Sequence, residues 1–317
     1  MRVTAQLIKA DDGFHLWSEN YDRELTNIFA IQDQIADSIA NALKVSLELE
    51  SGTAGNLTGT NSIDAYEHYL KGMSLWHERT VASLYQAIDE FNVAISLDPD
   101  FAKAYAGLSL VWAVIEGYVT INDEQSYAKA ATAAKKALSL DPENVEAMVA
   151  LGSVANSQFR FQESIDYLEH AIKLNPSFAT AYQWYGGVLR VMGDSEAALT
   201  RYQQAWNLDP RSRIIGNNLA GTLIELDRRQ EATEVAQEVI RIAPGFPESL
   251  KTMMHLAMYA GDCNAVSEYG NRLAVALKKT VNATPVYANV CQSEDPQLRS
   301  QASKTMAAWP SIEFSAH

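Results

Sequence analysis

The sequence predicts a mainly α fold of about six helix pairs stacked as a solenoid, preceded by a small β-hairpin and one helix. Three observations carry this. Pro142, Pro176, Pro210 and Pro244 recur at a spacing of 34 residues. Each closes a similar phrase: Ala-Leu-Ser-Leu-Asp-Pro, Ala-Ile-Lys-Leu-Asn-Pro, Ala-Trp-Asn-Leu-Asp-Pro and Val-Ile-Arg-Ile-Ala-Pro. Ahead of each proline, small and bulky residues recur at intervals of three, four and seven, the spacing of one helix face. A fixed period of this size marks stacked copies of one supersecondary unit, none of which buries its apolar face alone.

In chain order, residues 1–50 read as a hairpin and a helix. Residues 2–8 alternate apolar and polar, Asp11–Asp12–Gly13 is a turn signal, and residues 14–21 alternate again. Ile28, Ile31, Ile35, Ile39 and Leu43 then fall on one face of a helix over residues 28–49. A two-stranded hairpin is marginal in water, so this piece reads as the end of a larger sheet domain. Residues 51–61 are a polar, glycine-rich linker. Helix pairs are expected over 62–99, 100–142, 143–176, 177–210, 211–244 and 245–279, with a capping tail over 281–317 that holds a last helix from Asp295.

The first two pairs are expected to have longer inner turns than the rest. Pro99 and Pro142 are 43 residues apart, and the surplus is placed in the inner loop around residues 117–125. The sixth pair lacks the closing proline, as a terminal capping unit can. Size matching holds each pair together. Small residues at Gly152, Gly186 and Ala220 let the two helices cross closely, while Leu168 and Tyr202 fill the space between. Asp or Asn before proline is biased to extended backbone and ends the second helix. Gly193 suits a left-handed cap and Asp194 the start of the next helix.

Composition narrows the function. The formal charge is −14, and the densest basic stretches are pairs, Arg228–Arg229 and Lys278–Lys279. Nucleic-acid binding through this region is therefore not expected, because it needs a basic footprint. No run of about eighteen apolar residues is present, so no membrane segment is expected. Met1–Ile8 lacks the apolar core of a secretion signal, which as it stands places the chain in the cytoplasm. Cys263 and Cys291 form no disulfide framework and no zinc set. They read as two isolated buried thiols, or as one bond in an oxidising compartment.

Motifs of catalysis and cofactor binding do not occur. There is no phosphate loop, no dinucleotide glycine pattern and no His-Glu-x-x-His pair. The histidines His15, His68, His77, His170, His255 and His317 are scattered, and no metal or cofactor is expected. Gly186–Gly187 reads as mid-helix packing. Trp76, Trp112, Trp184 and Trp206 fall in helical register and read as core.

The repeat frame resembles the tetratricopeptide family over residues 63–280, which implies a right-handed α-solenoid whose first helices line a concave groove. Carried onto this sequence, the resemblance implies groove positions that include Ser153, Asn156, Gln183, Arg190, Asn217 and Lys251, with Val149 among their neighbours. The paired lysines that some relatives use to clamp a peptide carboxylate are not matched. Residues 2–49 resemble the end of a bacterial TolB-like (FlgO-like) domain, through Val-Thr-Ala-Gln-Leu-Ile, Gly-Phe-His-Leu-Trp-Ser-Glu-Asn-Tyr-Asp-Arg-Glu-Leu and Ile-Phe-Ala-Ile-Gln-Asp-Gln-Ile-Ala. That pairing occurs in CadC-type transcriptional regulators and class III adenylate cyclases. It implies a non-catalytic interaction or sensory module of a bacterial regulator that takes a peptide or protein partner, periplasmic if of the CadC type. The alternative is a self-assembling structural module, a homo-oligomer formed through the hairpin or the tail.

Overall fold

A computed structural model describes residues 2–8, 15–22, 59–118 and 123–277. Strands β1 (Arg2–Ile8) and β2 (His15–Asp22) pair antiparallel, with Arg2 opposite Asp22 and Leu7 opposite Trp17, and an irregularity follows Leu7. Two strands therefore pair where the alternation places them. The turn at Asp11–Gly13, the helix expected over residues 28–49, most of the linker and the tail from residue 281 lie outside the described residues.

Twelve α-helices follow among the described residues, as six pairs: α1 (Ile63–Glu78) with α2 (Val81–Leu97), α3 (Ala102–Val114) with α4 (Asp123–Leu140), α5 (Val145–Ser157) with α6 (Phe161–Leu174), α7 (Ala179–Val191) with α8 (Ser195–Leu208), α9 (Arg213–Glu225) with α10 (Arg229–Ile242), and α11 (Pro247–Ala260) with α12 (Cys263–Ala276). The fold is the mainly α solenoid of helix pairs that the 34-residue period demands. Its helices divide into two compact units. One takes the chain up to Val111 together with Ala133–Asn144. The other takes Trp112–Thr132 and everything from Val145 onward.

In the first unit, Ser62 caps α1 by accepting from the Ala65 amide at 3.2 Å. Thr80 and Ser83 form a reciprocal capping box at the start of α2. Phe91 is fully buried and sits over Gly72 of α1 and Gly107 of α3, where no side chain could fit. The Tyr69 ring meets Phe101 edge-on at 5.3 Å. The longer inner turn expected for this pair is not there. Only Arg79 and Thr80 separate the helices, and the surplus lengthens them instead, to 16 and 17 residues against 13 and 14 in α5 and α6. Arg79 makes the sharp turn possible by adopting φ 49°, with its guanidinium over the Trp76 ring at 4.0 Å.

The surplus of the second pair is likewise shared. α3 ends at Val114, a 3₁₀ turn spans Ile115–Gly117, and α4 begins at Asp123, making it 18 residues long. Part of the extra chain is thus helix rather than loop. Ala- and Lys-rich sequence from Ala128 to Ala137 has high helix propensity, and this favours extending the helix over leaving it open.

The four pairs from Val145 onward repeat one set of joints. Each first helix ends on a residue in the left-handed region: Phe159 (φ 57°), Gly193 (φ 88°), Asp227 (φ 60°) and Gly261 (φ 72°). The next amide then bonds back across the helix end, Arg160 to the Ala155 carbonyl, Asp194 to Leu189, Arg228 to Leu223 and Asp262 to Ala257. This is the Schellman closure, which satisfies carbonyls the helix end leaves open. Asp194 and Asp262 go on to cap the second helix, accepting from the Ala197 and Ala265 amides at 3.0 Å. Arg160 and Arg228 cannot accept, and pair instead with Glu163 and Glu231 one turn into the helix.

The second helices also end alike. Asn175, Asp209 and Ala243 have φ −135°, as the following proline requires. The Asn175 and Asp209 side chains accept from the amides of Ser177 and Arg211 past the proline, at 3.1 and 3.2 Å. Within each pair, size matching is as the sequence implies. A Cβ on Gly152 would lie 3.0 Å from Leu168, and one on Gly186 would lie 3.1 Å from the Tyr202 ring. Ala198, Tyr202, Leu219, Ala220, Leu223 and Ala232 form part of one buried cluster across neighbouring pairs. Of the two readings of the cysteines, the bonded one applies to Cys263, which is half-buried and disulfide-bonded. Its place at the start of α12, beside the exposed Asp262, leaves it at the surface. Cys291 lies outside the described residues.

Candidate peptide-binding groove

The groove residues come from α5, α7, α9 and α11, the first helices of four successive pairs. Between α5, α7 and α9 lies a pocket of about 210 Å³. Ser153 and Asn156 of α5, Gln183 of α7 and Asn218 of α9 supply its polar wall. Leu168, Trp184, Val188 and Tyr202 supply the apolar one, with Val114 at the rim. Gly187 keeps the floor low, with the Tyr202 hydroxyl 3.6 Å from where its Cβ would be. No charged side chain lines the pocket.

Three of the six residues expected in the groove, Ser153, Asn156 and Gln183, therefore meet around one cavity. Gln183 is buried to 9 % exposure, while Ser153 and Asn156 are half-buried. Asn156 Oδ1 is buried and accepts no hydrogen bond from another protein group.

The other three lie away from the pocket. Arg190 is at the surface and binds Glu225 of α9, Nε to Oε1 at 2.8 Å and Nη2 to Oε1 at 2.6 Å. The Glu225 carboxylate raises the pKa of its guanidinium against the opposing pull of burial. Arg190 thus ties α7 to α9. Asn217 Oδ1 accepts from Thr252 Oγ1 at 3.3 Å, joining α9 to α11. Lys251 is half-buried on α11.

Several residues depart from the sequence reading. Val149 is fully buried and belongs to the core, because its side of α5 is covered by packing. Trp184 is half-buried and forms a pocket wall rather than core. The signal for it was present. Gln183, Trp184 and Gly187 lie within one turn, and a bulky ring beside a missing side chain makes a notch. Tyr202 was read only as filler, yet its ring walls the pocket while its hydroxyl lies beside Arg190 and Glu225. Burial pushes its phenol up to about 12, so it stays a neutral donor. Further along, burial first and Arg229 second push the His255 imidazole down. That ring lies 4.8 Å from Tyr259, over which Arg229 also sits at 4.2 Å.

Stacked helix pairs with a notch on their first helices define a tetratricopeptide-type repeat protein, a non-catalytic scaffold class. Residues 59–257 match the family model of the tetratricopeptide repeat protein 21 C-terminal ARM domain, and the chain belongs to that family. Among characterised proteins it is similar to "Putative adenylate cyclase 3" of Rhizobium meliloti, 32% identical over 111 residues, which is 35% of this chain and 19% of that one. It is also similar to the transcriptional regulator HilA of Salmonella typhimurium, 25% identical over 182 residues, or 57% of this chain and 33% of that one. The chain thus spans between a fifth and a third of these relatives' length. Among solved structures, Pseudomonas aeruginosa pilF superposes with a TM-score of 0.50 at 19% identity, over 71% of this chain and 97% of its own, a likeness of fold. Among the described residues no group of three His, Cys, Asp or Glu could hold a metal ion, and no helix is long and apolar enough to cross a membrane.

Proposed function

We propose that this chain is the interaction or sensory part of a bacterial regulatory protein, and that it takes an extended peptide or a partner helix along its first helices. The observation that carries this is the pocket itself. A neutral cavity between α5, α7 and α9 unites Ser153, Asn156 and Gln183. Binding sites are concave and mostly apolar with a few convergent polar groups, and this cavity has that make-up. The regulatory context is supported by the named relatives, one a transcriptional regulator and one an adenylate cyclase. A TolB-like remnant over residues 2–49 is part of the same proposal, supported by the pairing of strands Arg2–Ile8 and His15–Asp22.

Photo-cross-linking tests the groove. A photoreactive amino acid replaces Gln183, and a control replaces Gln203, an exposed residue of the second helix α8. Irradiated in cells, the 183 variant is expected to give a discrete adduct whose attached segment mass spectrometry reads as one sequence. The 203 variant is expected to give none. Equal adducts from both positions, or none from 183, would remove the groove.

A further inference from the structure

Resting on the groove reading above, we infer that the pocket between α5, α7 and α9 takes one uncharged aromatic side chain of the partner, and that Gly187 is the residue that keeps it open. The cavity of about 210 Å³ exceeds the roughly 150 Å³ cavity that accepts benzene, so a phenylalanine-sized ring fits. Val114, Trp184 and Gly187 are half-buried and face the solvent side of the cavity, over a base of Leu168 and Val188 nearly closed to water. The half-open Trp184 indole offers a guest ring the offset or edge-on contact from which aromatic pairs gain beyond simple burial. No Asp, Glu, Lys or Arg lines the cavity. Arg190 and Glu225, beside the Tyr202 hydroxyl, are already bound to each other. A charged guest would therefore lose water without gaining a counter-ion.

Gly187 points to the site independently of the cavity's size. The two adjacent glycines of α7 are small for different reasons. A Cβ on Gly186 would lie 3.1 Å from the Tyr202 ring, so packing within the pair requires that glycine. One on Gly187 would meet only the Tyr202 hydroxyl, at 3.6 Å, an ordinary contact. Gly187 also lies inside α7 without a positive φ, so the backbone does not require glycine there. Inside a helix glycine is disfavoured against every residue but proline. The fold thus gains nothing from Gly187, and what its missing side chain leaves is the space beside Trp184. Gly187→Leu puts an isobutyl group into that space. It is expected to leave the melting temperature unchanged or raised, and to close the pocket.

The probes are the N-acetyl amides of phenylalanine, leucine, glutamate and lysine. Each is titrated into the full chain while the NMR signals of the Trp184 indole N–H and the Gln183 side-chain amide are followed. The wild type is expected to bind the phenylalanine probe about two- to tenfold more tightly than the leucine probe, the worth of one aromatic contact. The glutamate and lysine probes are expected to bind about tenfold or more weakly than phenylalanine. In Gly187→Leu, binding of the phenylalanine probe is expected to fall by about tenfold or more. Equal binding of phenylalanine and leucine by the wild type would overturn the inference, as would a charged probe that matches phenylalanine. So would phenylalanine binding that survives Gly187→Leu, or failure of every probe to move those signals. A lowered melting temperature in Gly187→Leu would overturn the role given to Gly187, and the wild-type order of probes decides the pocket's selectivity even then. An adduct from position 183 alongside equal probe binding would retain the groove and reject only its selectivity.

Discussion

Phe159 occupies the place in its unit that Gly193 and Gly261 occupy in theirs, with φ 57° and its ring 77 % exposed. The left-handed region costs an L-residue roughly 1–2 kcal/mol. Against that, glycine would add about 0.5–1 kcal/mol of freedom to the unfolded chain. The edge-on contact of Phe159 with Phe161, at 6.1 Å, is too exposed to reverse the balance. Phe159→Gly is therefore expected to raise the melting temperature, by about 2 °C for a gain of some 0.5–1 kcal/mol. A lower melting temperature would show that the ring contact outweighs the backbone strain. Asp227 (φ 60°) carries the same strain more easily, since Asn and Asp tolerate this region better than bulky residues.

At the scale of elements, α9 holds two glycines with opposite consequences. A Cβ on Gly216 would lie 2.4 Å from Val239 of α10 and 2.6 Å from the Trp206 ring of α8. Nothing lies within 4 Å of one on Gly221. Alanine in a helix is favoured over glycine by about 0.8–1 kcal/mol, but overpacking costs about 1–3. Gly221→Ala is thus expected to raise stability by somewhat under 1 kcal/mol, and Gly216→Ala to lower it by about 1–2, as read by urea unfolding. Two changes of the same sign would mean that the junction of α8, α9 and α10 is not packed as described. The reason Gly216 must be small is that Trp206, from the preceding pair, takes the space a large side chain holds in other units, such as Met148 and Tyr182. Arg190 also belongs to this scale. Its pair with Glu225, both partners more than a third exposed, contributes at most a few tenths of a kcal/mol. It fixes the approach of α7 and α9 beside the pocket more than it stabilises the fold.

For the whole molecule, the 34-residue period was plain in the sequence because its causes are local. Proline and the Asx residue before it end each second helix, and Gly-Asp opens the turn at Gly193 and Gly261. The turns at Phe159 and Asp227 were not legible, because neither residue favours the left-handed region; the closure of the whole pair imposes it. Helix lengths in the first two pairs were misplaced for a related reason: a surplus of residues reads as loop, while propensity can extend a helix. Of the groove, Ser153, Asn156 and Gln183 were within reach of a repeat frame. Trp184, Asn218 and Tyr202 were not, since a cavity arises from residues of six helices that no single period relates.

The central claim is that a partner lies along the first helices, seated in the pocket. Hydrogen–deuterium exchange tests it most directly, using a synthetic peptide of the segment cross-linked at position 183. Protection is expected in α5, α7 and α9, with α6, α8 and α10 unchanged. Protection confined to the second helices, or spread evenly over all six, would contradict it.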